Sequence, residues 1–312
     1  MKYVKLAGLA GAMGLLATAA YTAEGPNFAN VEIKATDLGN NTYMLEGQGG
    51  NMVIACGSDS NIQVDTEFAP LHDKIKAATD KACGNKPTKF VINTHFHGDH
   101  TGGNGEFASK DKVTVVAHRN LALRLEHGTT NGMSGAKTAP VAKEAIPTQT
   151  YNSNNGPVIQ AGGRTANVGH PNSAHTDTDS WVFFPGANVL AMGDTTSLGP
   201  RYPTIDYANG GSINGIIATV NNYLAITNAQ TKYVPGHGPL ATRADIANYR
   251  DMLIAVRYAV RAEIRAGKSE DDAVAAKPLA AIGKNVGSAA MLDDAMVRMV
   301  YRSLKNTPAN PA

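Results

Sequence analysis

Thr94-His95-Phe96-His97-Gly98-Asp99-His100-Thr101-Gly102-Gly103 follows directly on the apolar run Lys89-Phe90-Val91-Ile92-Asn93. A short apolar run bounded by turn residues reads as a buried strand. The strand is followed by a polar His-x-His-x-Asp-His turn and then Gly-Gly, so four ligand-type side chains sit on one loop at a strand's end. Histidines at i and i+2 can bind one ion from the same side. Asp99 and His100 then point toward a second ion. Nitrogen and oxygen donors without thiolate suit zinc, and also iron or manganese. A merely His-rich surface loop fits poorly with three histidines and an aspartate packed into six residues at the end of a strand.

Three downstream segments follow the same plan. Ser173-Ala174-His175-Thr176-Asp177-Thr178-Asp179 lies between two strand-like runs and offers His175. Val189-Leu190-Ala191-Met192-Gly193-Asp194 is an apolar strand ending in Asp194, and Tyr233-Val234-Pro235-Gly236-His237-Gly238 repeats the pattern with His237. Each candidate stands just after an apolar strand, where open α/β sheets present their sites.

With these motifs in this order, the chain resembles the metallo-β-lactamase fold superfamily from about Asn41 to the helix near Tyr258. The resemblance implies an α/β fold, a four-layer αβ/βα sandwich. It implies that His95, His97 and His175 hold a first metal, and that Asp99, His100 and His237 hold a second. Asp194 would bridge both, and Asp65, ending Asn61-Ile62-Gln63-Val64-Asp65, would orient a ligand histidine from behind. The clinical β-lactamases of this superfamily typically carry Cys or Ser at the position of Asp194. An aspartate there is more like the glyoxalase II, lactonase and general hydrolase branches.

The chemistry expected of such a site follows from its ligands. Two zinc ions lower the pKa of bound water to roughly 7, which makes a hydroxide available to attack a carbonyl. No Gly-x-Ser-x-Gly elbow competes for the role of nucleophile, and Asp99 is the candidate proton shuttle. The expected substrate is a small molecule with a hydrolysable carbonyl. The first expectation is a β-lactam-like cyclic amide, cleaved with modest and broad activity. The alternative is a thioester or lactone, and an iron-dependent sulfur dioxygenase is a further one.

Composition sets the outer limits. At 43% hydrophobic and 17% charged residues over 312, the chain suits a large globular enzyme. A basic start (Lys2, Lys5), an apolar run from Leu6 to Leu16 and a small-x-small site at Ala17-Thr18-Ala19 read as a signal peptide within residues 1–23. Export to the periplasm or medium is therefore expected, with residues 24–312 as one domain whose C-terminal helices begin near 243. The apolar run is too short for a membrane anchor. Removing its two lysines leaves 26 basic against 26 acidic residues, without the basic cluster that nucleic acid requires. The cysteines Cys56 and Cys83 either pair in an oxidising compartment or pack as buried thiols.

Alternation and periodicity predict strands near 41–46, 51–56, 61–65, 89–93, 113–117, 146–150, 157–161, 164–169, 180–184, 188–192 and 232–235. They predict helices at 70–83, 118–127, 213–227, 243–266, 269–276 and 289–304. The 243–266 helix carries an apolar stripe through Ile246, Tyr249, Leu253, Val256 and Val260, with Thr242 as N-cap. Two long connections lack regular patterning, 128–143 and 195–212. The second begins right after Asp194 and so borders the metals; Arg201 and Tyr202 are its candidate substrate contacts. His170 reads as structural.

Overall fold

The computed structural model describes residues 27–131, 135–199, 204–283 and 293–306. The signal segment and the two candidate contacts Arg201 and Tyr202 lie outside the described residues.

Strands β1 (Lys34–Gly39), β2 (Thr42–Glu46), β3 (Met52–Ala55) and β4 (Asn61–Val64) lead through helix α1 (His72–Cys83) to β5 (Thr88–Ile92). Short helices α2 (Gly98–Thr101) and α3 (Asn104–Lys110) precede β6 (Thr114–His118) and α4 (Arg119–His127). A small hairpin, β7 (Thr129–Thr130) with β8 (Lys137–Thr138), leads to β9 (Gln149–Tyr151). The second half runs β10 (Asn155–Ala161), β11 (Arg164–Gly169), β12 (Trp181–Phe184), β13 (Val189–Ala191), α5 (Ile213–Ile226), β14 (Lys232–Val234) and α6 (Arg243–Arg265). Helices α7 (Glu270–Ala275), α8 (Ala280–Gly283) and α9 (Asp294–Asn306) follow.

One sheet has the order β1-β2-β3-β4-β5-β6-β9, and the other β10-β11-β12-β13-β14. The strands from β4 through β5 and β6 to β9 are parallel, as are β13 and β14. The period-2 alternation of each strand decides the layering. Ile92 and Val116 point inward and meet Val168, Val182 and Val189 of the opposite sheet. Their neighbours Val91 and Val115 point outward onto Leu71, Ile75 and Phe107, from the segment around α1 and from α3. On the other flank, Leu190, Met192 and Tyr233 are covered by Ile216, Val220 and Tyr223 of α5, and by Leu253 and Val256 of α6. The result is a helix–sheet–sheet–helix sandwich. Parallel strands place their carboxyl ends on one edge, so the residues after β4, β5, β13 and β14 arrive together.

Several elements differ from the sequence expectation. β1 was missed because Lys34–Gly39 is an edge strand with mixed exposure and no apolar alternation. The turn after His97 contains helices α2 and α3, which polar and glycine residues concealed. The last helix begins at Asp294, and residues 289–292 of the expected 289–304 helix fall outside the described ones. Helix α6 is as expected, with Thr242 and Asp245 forming a reciprocal capping box.

Cys56 and Cys83 form a disulfide, with Cα atoms 5.1 Å apart and 27 residues of separation. It ties the end of β3 to the end of α1. A loop of that size constrains the unfolded chain by about 3 kcal/mol. Cys56→Ser with Cys83→Ser is expected to lower the melting temperature by roughly 5–10 °C in a chain of this size. A calorimetric scan with and without reductant checks this; an unchanged midpoint would show that the crosslink adds nothing.

Candidate metal centre

The edge where the strands end collects seven ligand-type side chains into two adjoining groups, His95, His97, His175 and Asp194, and Asp99, His100 and His237. His95 and His97 lie on the loop after β5, while Asp99 and His100 stand in the first turn of α2. His175 comes from the β11–β12 connection, Asp194 from the turn after β13 and His237 from the turn after β14.

In the first group, His97 Nδ1 lies 3.1 Å from His95 Nε2 and 3.0 Å from His175 Nε2. Donor atoms around a tetrahedral zinc stand about 3.3 Å apart. The outer hydrogen bonds decide what these nitrogens carry. His97 Nε2 donates to Asp206 Oδ2 at 3.1 Å, which leaves Nδ1 as a lone pair. His175 Nδ1 donates to the Thr204 carbonyl at 2.6 Å, which leaves Nε2 bare. Thr94 Oγ1 gives its proton to Asp65 Oδ2 and accepts from His95 Nδ1 at 3.2 Å, so His95 Nε2 is bare as well. With the rings neutral, three lone pairs converge on one point, an arrangement that a cation would satisfy.

In the second group, His100 Nδ1 donates to Asp65 Oδ2 at 2.8 Å, and its Nε2 faces Asp194 Oδ1 at 3.1 Å. His237 Nε2 lies 3.1 Å from Asp99 Oδ2 and 3.5 Å from Asp194 Oδ1. His100 Nε2 and Asp194 Oδ1 are both buried without a conventional hydrogen-bond partner. Buried polar atoms rarely stay unsatisfied without a reason. The donor set therefore fits two divalent cations. Asp194 Oδ2 is turned to the first group, 3.9 Å from His95 and 3.8 Å from His175, while Oδ1 is turned to the second.

Electrostatics divide the histidines: against burial, Asp194 and Asp65 hold His100 well above the ordinary histidine value, so a cation at the second group would have to displace its proton. Burial, and then His100, pushes His95 well below the ordinary histidine value; burial and His97 bring His175 down to about 4. Both rings are neutral, the form that ligates. Burial opposes a charge on Asp194, but His100 and His95 outweigh it and hold the carboxyl well below its usual range. Asp99 is likewise brought down to about 2, the His237 hydrogen bond and His100 overcoming burial. The side chains of His97 and Asp99 are each 28% exposed, whereas His95, His100 and His175 are fully enclosed. Substrate must approach from the His97–Asp99 side.

The backbone around the site is under constraint. Asp65 (φ 62°) and Glu67 (φ 49°) both adopt left-handed conformations immediately after β4. Glu67 accepts from the amides of Gln48 and Gly49 at 3.1 and 3.0 Å, which pins the β2–β3 turn over the site. Gly50 in that turn lies against His100: a Cβ there would meet the ring at 2.1 Å. A Cβ on Gly236 would meet Asp194 Oδ1 at 2.0 Å.

Asp206 was not singled out from sequence, although it lies in the loop expected to border the metals. The signal in the sequence is that each ligand histidine needs an outer acceptor, and Asp65 alone cannot serve them all. Asp206→Ala is expected to weaken metal affinity at the first group by about 10–100-fold while leaving the second group unchanged. Competition against a graded chelator measures this, and equal affinities would show the contact to be incidental. His170 stays outside the cluster; it stacks on His118 with ring centroids 3.6 Å apart.

The sequence model of the Metallo-beta-lactamase superfamily matches residues 35–256. This chain belongs to the metallo-beta-lactamase superfamily. Among curated relatives, a hydroxyacylglutathione hydrolase from Nitrosococcus oceani is 28% identical over 189 residues, covering 60% of this chain and 61% of its own length. The 2,4-dinitroanisole O-demethylase subunit alpha from Nocardioides sp. is 27% identical over 147 residues, covering 47% and 41%. The chain thus spans less than two thirds of either relative. In fold it is similar to a metallo-beta-lactamase from Pontibacter korlensis, with TM-score 0.57 and 17% identity over 71% of this chain and 99% of that one. It is also similar to the sec-alkylsulfatase Pisa1 from Pseudomonas sp., with TM-score 0.62 and 14% identity over 86% of this chain and 50% of that one.

Proposed function

We propose that this member of the superfamily is a dinuclear metal-dependent hydrolase, cleaving a small molecule at a reactive carbonyl. The observation that carries the reading is Asp194, whose two carboxylate oxygens face two separate ligand groups. His95, His97 and His175 would hold one cation, and Asp99, His100 and His237 the other, with Asp194 joining them. When bound, two zinc ions would supply Lewis acidity and a nucleophile drawn from water near neutral pH; the same donors would accept iron or manganese. Asp65, Asp206 and the Thr204 carbonyl keep the imidazoles in the ligating tautomer. Asp99, ionised and partly exposed beside His237, is placed to take a proton and hand it to a leaving group.

Two substrate classes are in play. An acyl thioester or lactone is favoured by the relative named hydroxyacylglutathione hydrolase and by the carboxylate at position 194. A cyclic amide of the β-lactam kind is favoured by the leader-like residues 1–23, which would carry the enzyme to the periplasm. The test is metal analysis joined to hydrolysis of an acylglutathione thioester, a lactone and a β-lactam. About two metal ions per chain are expected, with thioester turnover exceeding β-lactam turnover at least about tenfold and a chelator abolishing all of it. Hydrolysis that survives complete metal removal would overturn the reading.

A further inference from the structure

A cleft of about 1290 Å³ opens between the outer face of the second sheet and helices α5 and α6. None of the clustered metal-ligand candidates lines it. Its lining includes Trp181 and Asn155 from the sheet, Asn214 and Asn222 on α5, and Arg257 and Arg261 on α6. The indole of Trp181 packs against Gly169, where a Cβ would meet it at 2.0 Å.

Two arginines set the character of the lining, Arg257 with its guanidinium 5.2 Å from the centroid of the Tyr258 ring. They stand at i and i+4, so both guanidinium groups leave the same face of α6, and like charges at that spacing repel. Both turn to one neutral acceptor: Arg257 Nη1 and Arg261 Nη2 donate to Asn214 Oδ1 at 3.2 and 3.5 Å. Among the described residues, no carboxylate pairs with either arginine and no acidic side chain lines the cleft. Arg257 Nε is buried and has no hydrogen-bond partner. A guanidinium fork is matched by an oxyanion that accepts two bonds at once. The asparagine amides can both donate and accept, while Trp181 and Leu304 supply apolar surface.

We propose that this cleft binds a small organic oxyanion, with its carboxylate or phosphate head held by Arg257 and Arg261 and its planar or apolar body on Trp181. The site is independent of the metal centre and of the hydrolase reading.

Calorimetric titration of the purified full-length protein with phenyl phosphate, with benzoate and with neutral benzyl alcohol tests it. At least one of the two anions is expected to bind, and benzyl alcohol is not. Whichever anion binds tells a phosphate from a carboxylate preference. Arg261→Gln is expected to weaken that anion at least about tenfold, and Arg261→Lys to restore part of the loss. Arg261 gives up only one long hydrogen bond, so this variant is expected to fold, and circular dichroism checks that it does. Lys89→Gln, an equal charge change on an exposed strand residue, is expected to leave affinity unchanged. Failure of both anions to bind, or equal affinity in wild type, Arg261→Gln and Arg257→Gln, overturns the proposal. The second result would place the anion elsewhere, for example on the metals.

Discussion

Alanine at both His95 and His97 is expected to reduce the metal content from about two ions per chain to one, and turnover by at least about a thousandfold. His97 Nδ1 is the nitrogen that both His95 and His175 face, so removing two of these three donors leaves His175 and one oxygen of Asp194. Two donors do not make a zinc site, which takes three or four protein ligands. A thousandfold loss corresponds to about 4 kcal/mol of transition-state stabilisation, modest for a reaction that would depend on both ions. The remaining ion would be the one held by Asp99, His100 and His237. Metal analysis by mass spectrometry, run beside kinetics, reads both quantities. Unchanged metal content in the double variant would end the assignment of the first group.

Asp194→Ala carries the next largest expected effect. It removes the one side chain that faces both groups and leaves the buried His100 Nε2 without its carboxylate. Affinity at the second group is expected to fall by 10–100-fold or more, a range known for lesser losses behind the ligands themselves. Turnover is expected to fall on every substrate tested, because the joined pair of ions that the reading proposes, and not a substrate contact, would be lost. Asp194→Asn keeps the volume and one acceptor but drops the charge, so it separates electrostatics from shape. Full occupancy with undiminished turnover in Asp194→Ala would show this residue to be only part of a turn.

Most of the site could be read before any coordinates because metal ligation leaves a local signature. His-x-His-x-Asp-His is legible as a motif, and each further candidate follows an apolar strand whose end marks the reactive edge of a sheet. The sandwich was legible for a similar reason: β3 is apolar throughout, and α6 has an uninterrupted stripe with a capping residue in front. Polar and glycine-rich residues hid α2 and α3, whose helical turns rest on tertiary support more than on propensity.

By itself, then, the sequence determined which residue types stand at strand ends, and through them the fold class and the candidate ligands. Only the tertiary structure decided how those residues meet. Asp206 reaches His97 across 109 positions, and Asp65 reaches His100 across 35. These contacts set the tautomers and aim the lone pairs inward. Tertiary packing also joined Cys56 to Cys83, laid Gly50 on the His100 ring and set two arginines on one asparagine. The physical reason is range. Periodicity, capping and ligand spacing act within a few residues along the chain, where a pattern records them. A hydrogen bond between distant segments depends on how whole layers pack, and no local pattern encodes its partner.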